Sequence, residues 1–331
     1  MTTNFTQWPK AELHVHLDGS LRPETVWTLA KDTNFHLPFD TFAELERHLR
    51  VPRRCTLPEY LEAFQYTVGV MQTPDALQRV ACEFVEDVAA DGVTYVEVRF
   101  APTLHREKGL NLEQIVEHIL AGLNQGSEKT GTIAKLICCA MRQESPDLAE
   151  AVARVAVDYQ SAGVVALDLA GPEDGFPAEP HKKAFDYALD HDLNLTIHAG
   201  EACCADNVER AIALGAQRIG HGTFICKDTG VAQLVTDKKI PLEACPTSNL
   251  QISGFIDDYA QHPIHAYLDA GMMVTLNTDN RLMSNVTLSD EYAHLSPTID
   301  ESVLQQVVRN GFQSAFASDA EKQRWIEALP F

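Results

Sequence analysis

Positive charge and long apolar runs are both scarce in this chain. Only 26 lysines and arginines stand against 47 aspartates and glutamates, a formal charge of −21. Nucleic acids and anionic membranes are bound through clustered Lys and Arg, so neither fits as the main partner. A neutral small substrate fits better than a phosphorylated one. No apolar stretch is long enough to span a bilayer. The opening Met-Thr-Thr-Asn-Phe-Thr-Gln-Trp-Pro-Lys lacks the apolar core of a secretory signal. A disulfide framework is also missing: the eight cysteines are even in number, but Cys138 and Cys139 are neighbours in an expected strand and point to opposite faces. Reduced thiols in a soluble, cytoplasmic protein are expected. Arg47, Arg50, Arg53 and Arg54 form a local basic knot, read as a solvated helix end and loop or as a phosphate-binding rim.

What is present is a repeating alternation. Short β-prone apolar runs cover 12–17, 95–100, 133–141, 164–169, 193–198, 218–221, 241–245 and 273–277. Helical patterning fills intervening stretches such as 76–90, 112–123, 147–161, 180–190, 205–214 and 263–270. Eight strand–helix units predict an α/β fold, a (β/α)8 TIM barrel, and 331 residues suit one such domain over 1–331. An open doubly wound sheet would more often carry a Gly-rich phosphate turn after its first strand, and Asp18-Gly-Ser-Leu is not one. About 75 residues separate the first two strands, where a barrel unit needs one helix. A helical insertion over about 21–90 is expected on the C-terminal face. Within it, Leu57, Tyr60, Leu61 and Phe64 recur at helical spacing and form either an apolar lid or a packing stripe on the barrel rim.

The chemistry sits at the strand ends. His14 and His16, two apart on a strand, project from one face toward one point. His198 ends the fifth strand and Asp279 follows the eighth. Taken singly, a histidine is usually a satisfied core or surface residue, and a strand-end aspartate commonly caps the next helix. Together at the catalytic end of one barrel, His14, His16, His198 and Asp279 make a three-nitrogen, one-oxygen set suited to a single zinc ion. Glu201 lies close by, free to carry protons, and His221 adds an imidazole at the same rim. Metal-assisted hydrolysis needs these parts.

The blocks Pro9-Lys-Ala-Glu-Leu-His-Val-His-Leu-Asp-Gly19, His198-Ala-Gly-Glu201, Leu214-Gly-Ala-Gln-Arg-Ile-Gly-His-Gly222, Pro241-Leu-Glu-Ala-Cys-Pro-Thr-Ser-Asn249 and Asn277-Thr-Asp279 resemble those of the adenosine deaminase family, in the same order. Leu169-Ala-Gly171 resembles its strand-four block and residues 57–64 its lid helix. The resemblance implies one Zn2+ per subunit on His14, His16, His198 and Asp279, with Glu201, His221 and Asp279 catalytic. His16, Asp18, Gly171 and Asn280 would face a small purine nucleoside, Asp18 at the ribose end and the Gly171 backbone at purine N3. Hydroxide would attack purine C6 while Glu201 protonates N1, giving inosine and ammonia. The fourth strand ends without the lysine that two-metal relatives carboxylate, which favours a single metal. Cys245-Pro246 lacks the second cysteine of the cytidine-type zinc site.

One departure stands out. Asn280 occupies the place of the family's usual second aspartate. An amide NH2 can donate to purine N7 without any protonation. The substitution leaves open another 6-aminopurine (adenine, aminofutalosine or a modified adenine nucleotide), or a non-catalytic purine-binding protein on the same scaffold. A monomer or weak homo-oligomer is expected.

Overall fold

The computed structural model describes residues 3–51, 54–252 and 254–331, so Arg53 of the basic knot lies outside the described residues. Eight strands, β1 (Lys10–His16), β2 (Val93–Phe100), β3 (Ile133–Met141), β4 (Val164–Ala170), β5 (Asn194–Ala199), β6 (Arg218–His221), β7 (Leu242–Ala244) and β8 (Val274–Leu276), pair in parallel in chain order. The sheet closes where Val15 bridges Asp279. There the His16 amide donates to the Asp279 carbonyl (2.6 Å) and the Asp279 amide to the His14 carbonyl (3.0 Å). Helices between the strands complete the expected (β/α)8 barrel.

The first two outer helices begin where the sequence supplies caps. Thr73 accepts from the Ala76 amide ahead of Pro74–Ala90, and Asn111 with Gln114 closes a capping box on Leu112–Thr130. That second helix runs on past Leu123, where the apolar periodicity stops. Glycines explain the extension. A β-carbon on Gly122 would fall 2.2 Å from the Gln78 carbonyl oxygen, and one on Gly126 2.5 Å from Val85 Cβ. The two helices therefore touch backbone to backbone, a contact that hydrophobic spacing does not reveal.

Between β1 and β2 the chain forms Pro23–Asp32, Phe42–Leu49, Leu57–Glu62 and Phe64–Val70 before Pro74–Ala90 packs on β2 as the first barrel helix. Inside the barrel, charge replaces the usual aliphatic layers. Arg99 reaches Asp168 and Glu243, both at 2.8 Å, and Arg218 reaches Glu97 and Glu243, both at 2.6 Å, all fully buried. Desolvating such ions costs several kcal/mol each, which pairing at best returns. The network is accounted for by what it holds in place rather than by net stabilisation.

Candidate active site

What the network holds is a set of imidazoles. His14 and His16 leave β1 on its inner face, His198 lies within β5, and Asp279 follows β8. One donor atom from each of the four lies within 4.8 Å of the others. His16 Nε2 is 3.1 Å from His198 Nε2, and Asp279 Oδ1 is 3.5 Å from Nε2 of both His14 and His16. Behind them, Glu243 accepts from His14 Nδ1 (2.8 Å) and Asp168 from His198 Nδ1 (3.1 Å). Burial opposes ionisation of both carboxyls. The charges of Arg99 and Arg218 around Glu243, and the hydrogen-bonded His198 ring with Arg99 around Asp168, overcome it and hold both well below the usual range.

Ionised carboxylates only accept, so His14 and His198 turn an Nδ1 proton to them and face their Nε2 atoms, the ones able to offer lone pairs to a metal, inward. His14 Nε2 is buried with no hydrogen-bond partner. Ser248 Oγ donates to Asp279 Oδ2 (2.6 Å), leaving Oδ1 for the cluster. Burial disfavours the Asp279 carboxylate, but the close approach of the His14 ring, with His221 and His16 around it, brings its pKa below the usual range. Lone pairs and a carboxylate oxygen gathered so closely fit a divalent cation between them.

Glu201, His221 and Asp279 form an overlapping group, with Glu201 Oε1 3.5 Å from His221 Nε2. Burial, reinforced by the charges of Asp279 and Glu173, pushes the Glu201 carboxyl well above its usual pKa. Its loop is fixed from behind by Glu173. That carboxylate accepts from the amides of Gly200 (2.6 Å), Glu201 (3.0 Å), Ala202 (3.2 Å) and Cys203 (3.4 Å), and from Asn207 Nδ2 (2.9 Å). His221 (φ +66°) and Asp279 (φ +62°) are both left-handed. Non-glycine residues hold that conformation at about 1–3 kcal/mol apiece, a cost commonly met at functional sites.

Above this group lies a cavity of about 210 Å³. His16, His198, Glu201 and Asp279 form its floor, with Asp18, Gly171 and Asn280 at its sides. Leu57, Tyr60, Leu61 and Phe64 also line it. The first three share the short helix Leu57–Glu62, while Phe64 opens the next after a break at Ala63. Tyr60 Oη meets Ser284 Oγ at 2.8 Å, and Ser284 donates to Gln251 Oε1 at 2.8 Å, tying these helices to the loop after β8. Asp18 Oδ1 has no hydrogen-bond partner, with His16 Nδ1 4.0 Å away, and burial pushes its carboxyl up to about 7. His105 offers it no proton, because His105 Nδ1 donates to the Met71 carbonyl (3.0 Å) and leaves a bare Nε2 toward Asp18. Among the described residues no lysine or arginine lines the cavity. Of the basic knot, Arg50 pairs with Glu46 (2.8 Å) and Arg54 with Asp257.

The sequence reading did not single out Asp168, Glu243, Arg99, Glu173 or Ser248. A signal existed for some of them: Glu97 and Arg99 alternate in an apolar strand, and Asp168 and Glu243 each interrupt one. Charge on the inner face of a barrel strand needs a partner or a task.

The chain is similar to known proteins along almost its whole length. The adenosine deaminase family profile matches residues 9–330. An adenosine deaminase of Clostridium acetobutylicum is 42% identical over 325 residues, covering 97% of each chain. The crystal structure of adenine deaminase from Arthrobacter aurescens superposes with a TM-score of 0.90 at 28% identity, again covering 97% of each chain. That of an arabidopsis N6-mAMP deaminase superposes with a TM-score of 0.86 at 26% identity and 97% coverage of each.

Proposed function

The chain belongs to the adenosine deaminase family and is a hydrolytic deaminase; we propose that it converts adenosine and 2′-deoxyadenosine to inosine and deoxyinosine, releasing ammonia. The observation that carries this reading is the convergence of His14, His16, His198 and Asp279 beneath a cavity that also receives Glu201. The residues fit zinc, one ion per subunit on those four side chains, and zinc there supplies a nucleophilic water at neutral pH. Glu201, protonated in its buried position, donates to purine N1 as attack at C6 removes the ring's aromaticity. His221 steadies the attacking oxygen, and the Asp279 carboxylate orients it. Asn280 donates to N7 and the Gly171 amide to N3. Asp18, beside His16, accepts from a ribose hydroxyl. Leu57, Tyr60, Leu61 and Phe64 act as a lid that excludes water. Residues 1–331 work as one catalytic domain, cytoplasmic, as a monomer or weak homo-oligomer. Among the described residues no helix is long and apolar enough to cross a membrane.

Substrate choice rests on the cavity's charge. A nucleotide brings a phosphate, and among the described residues the only formal charges lining this cavity are acidic or imidazole groups. The partnerless Asp18 oxygen favours a hydroxyl donor, which a nucleoside has and free adenine lacks. The test follows the adenosine ultraviolet band on mixing with zinc-loaded protein, with 2′-deoxyadenosine, adenine and N6-methyl-AMP in parallel. Loss of the band for both nucleosides alone is expected. Silence on nucleosides with turnover of adenine or the nucleotide would reassign the substrate.

A further inference from the structure

His221 presents a buried Nε2 to the site without a hydrogen-bond partner, and its other nitrogen is held by a chain of contacts that the proposed reaction leaves unused. The chain begins at a backbone amide. Ile264 opens the helix Ile264–Asp269, so its N–H has no partner within that helix. It donates instead to His262 Nδ1 at 3.1 Å. A backbone N–H can only donate, so Nδ1 of His262 carries a lone pair and its ring proton sits on Nε2. His262 Nε2 lies 3.2 Å from Asn249 Oδ1 and donates to it. With its oxygen engaged, the Asn249 amide turns its nitrogen to His221 Nδ1 at 3.0 Å. That NH2 donates as well, so Nδ1 of His221 is bare and its proton is on Nε2, 3.5 Å from Glu201 Oε1. All three side chains are buried, at 3% exposure or less, so water offers no substitute partner.

We propose that Asn249 and His262 are positioning residues that lock His221 as its Nε2–H tautomer, so that His221 meets the reacting oxygen as a hydrogen-bond donor and not as a base. The inference rests on the deaminase reading above and names how one of its residues works. The direction of every hydrogen bond is set by one amide, that of Ile264, and the two amide ends of Asn249 pass it on. A ring with a bare Nδ1 cannot be an imidazolium, and a ring with a protonated Nε2 cannot take a proton there. What remains is an N–H in a dry pocket with no acceptor of its own, open to one on a reacting group.

The test reads the proton itself. Nitrogen-15 histidine spectra of the full-length zinc-loaded protein, with His221 assigned by its loss in His221→Asn, should show Nε2 protonated and Nδ1 bare. A protonated Nδ1 overturns the proposal. Asn249→Asp keeps the shape but presents only acceptors, and should move a proton onto His221 Nδ1. It should lower kcat on the order of 10²-fold with KM little changed, as when a preorganised donor is lost. His262→Leu frees the Asn249 amide to turn and should act in the same direction, while His262→Gln, which restores an N–H at the Nε2 position, should recover the wild-type tautomer and most of kcat. If Asn249→Asp leaves Nδ1 bare, or if His262→Leu keeps full kcat, the relay is refuted. If His262→Leu fails to fold, the spectrum of Asn249→Asp decides alone. A protein silent toward every purine but showing this tautomer and its inversion would sustain the relay while refuting the assigned reaction.

Discussion

Gly19 and Asn280 lie in contact: a β-carbon on Gly19 would fall 1.9 Å from Asn280 Oδ1. That oxygen has no hydrogen-bond donor. With its oxygen pressed on Gly19, the amide turns its nitrogen away from that glycine to the side of the Tyr60 hydroxyl, the orientation that donation to purine N7 requires. Gly19→Ala should displace the amide and raise KM for adenosine about tenfold, the value of roughly one hydrogen bond. The companion measurement uses 7-deazaadenosine, which should be a poor substrate of both proteins. Equal turnover of adenosine and its 7-deaza analogue by the wild type would show that Asn280 makes no such contact.

Glu201→Gln keeps size and polarity but cannot shuttle a proton. We expect kcat to fall about 10²–10⁴-fold with little change in KM. Zinc content, measured by atomic absorption, should stay at the wild-type level. A glutamine variant as active as the parent would remove Glu201 from the chemistry.

Asp168 and Arg99 act on the proposed metal only through the rings. Asp168→Asn leaves an acceptor for His198 Nδ1 but removes a charge and strands one arm of Arg99, which also reaches Glu243 at 2.8 Å. Zinc affinity, read by competition with a chromogenic chelator, should weaken about 10–100-fold. Unchanged affinity would mean that these buried ion pairs shape the barrel without tuning its imidazoles.

Glu291 predicts a stability profile. Its Oε1 accepts from the Thr247 amide at 3.0 Å, its Oε2 has no partner, and burial raises its pKa to about 8 from an ordinary 4.5. The folded protein therefore keeps a proton that the unfolded chain loses first. The stability this provides is full below about pH 4.5 and fades as pH rises through about 8. Glu291→Gln still accepts from Thr247 and cannot ionise. Its advantage over wild type in unfolding free energy, read by urea denaturation, should be small at pH 5 and grow toward pH 9, reaching on the order of 1–4 kcal/mol. Parallel curves for the two proteins would show that Glu291 does not titrate in this window.

The barrel was legible because its signal is repeated: eight β-prone runs alternating with helical patterns admit few architectures. The positions of His14, His16, His198 and Asp279 at strand ends were equally readable, since a strand's period of two fixes the side each residue faces. What escaped was whatever depends on a partner distant in the chain. Asp168 and Glu243 interrupt apolar strands without showing that Arg99 joins them. Gly122 and Gly126 look like helix weakeners until the Gln78 carbonyl is found against one of them. His262 lies more than a strand and a helix away from His221 in sequence, and nothing in its neighbours points to Asn249.

The seam between β1 and β8 carries a consequence for the protein's lifetime. His14 and His16 stand on one side of it and Asp279 on the other, and few backbone hydrogen bonds cross it. An ion held by all three would tie the first strand to the last, closing a loop that takes in most of the chain, where loss of unfolded-state freedom is large. Protein made while the metal is scarce would lack that tie and open there more readily, exposing both strands to proteases. Cellular abundance, and not only activity, would then rise and fall with metal supply.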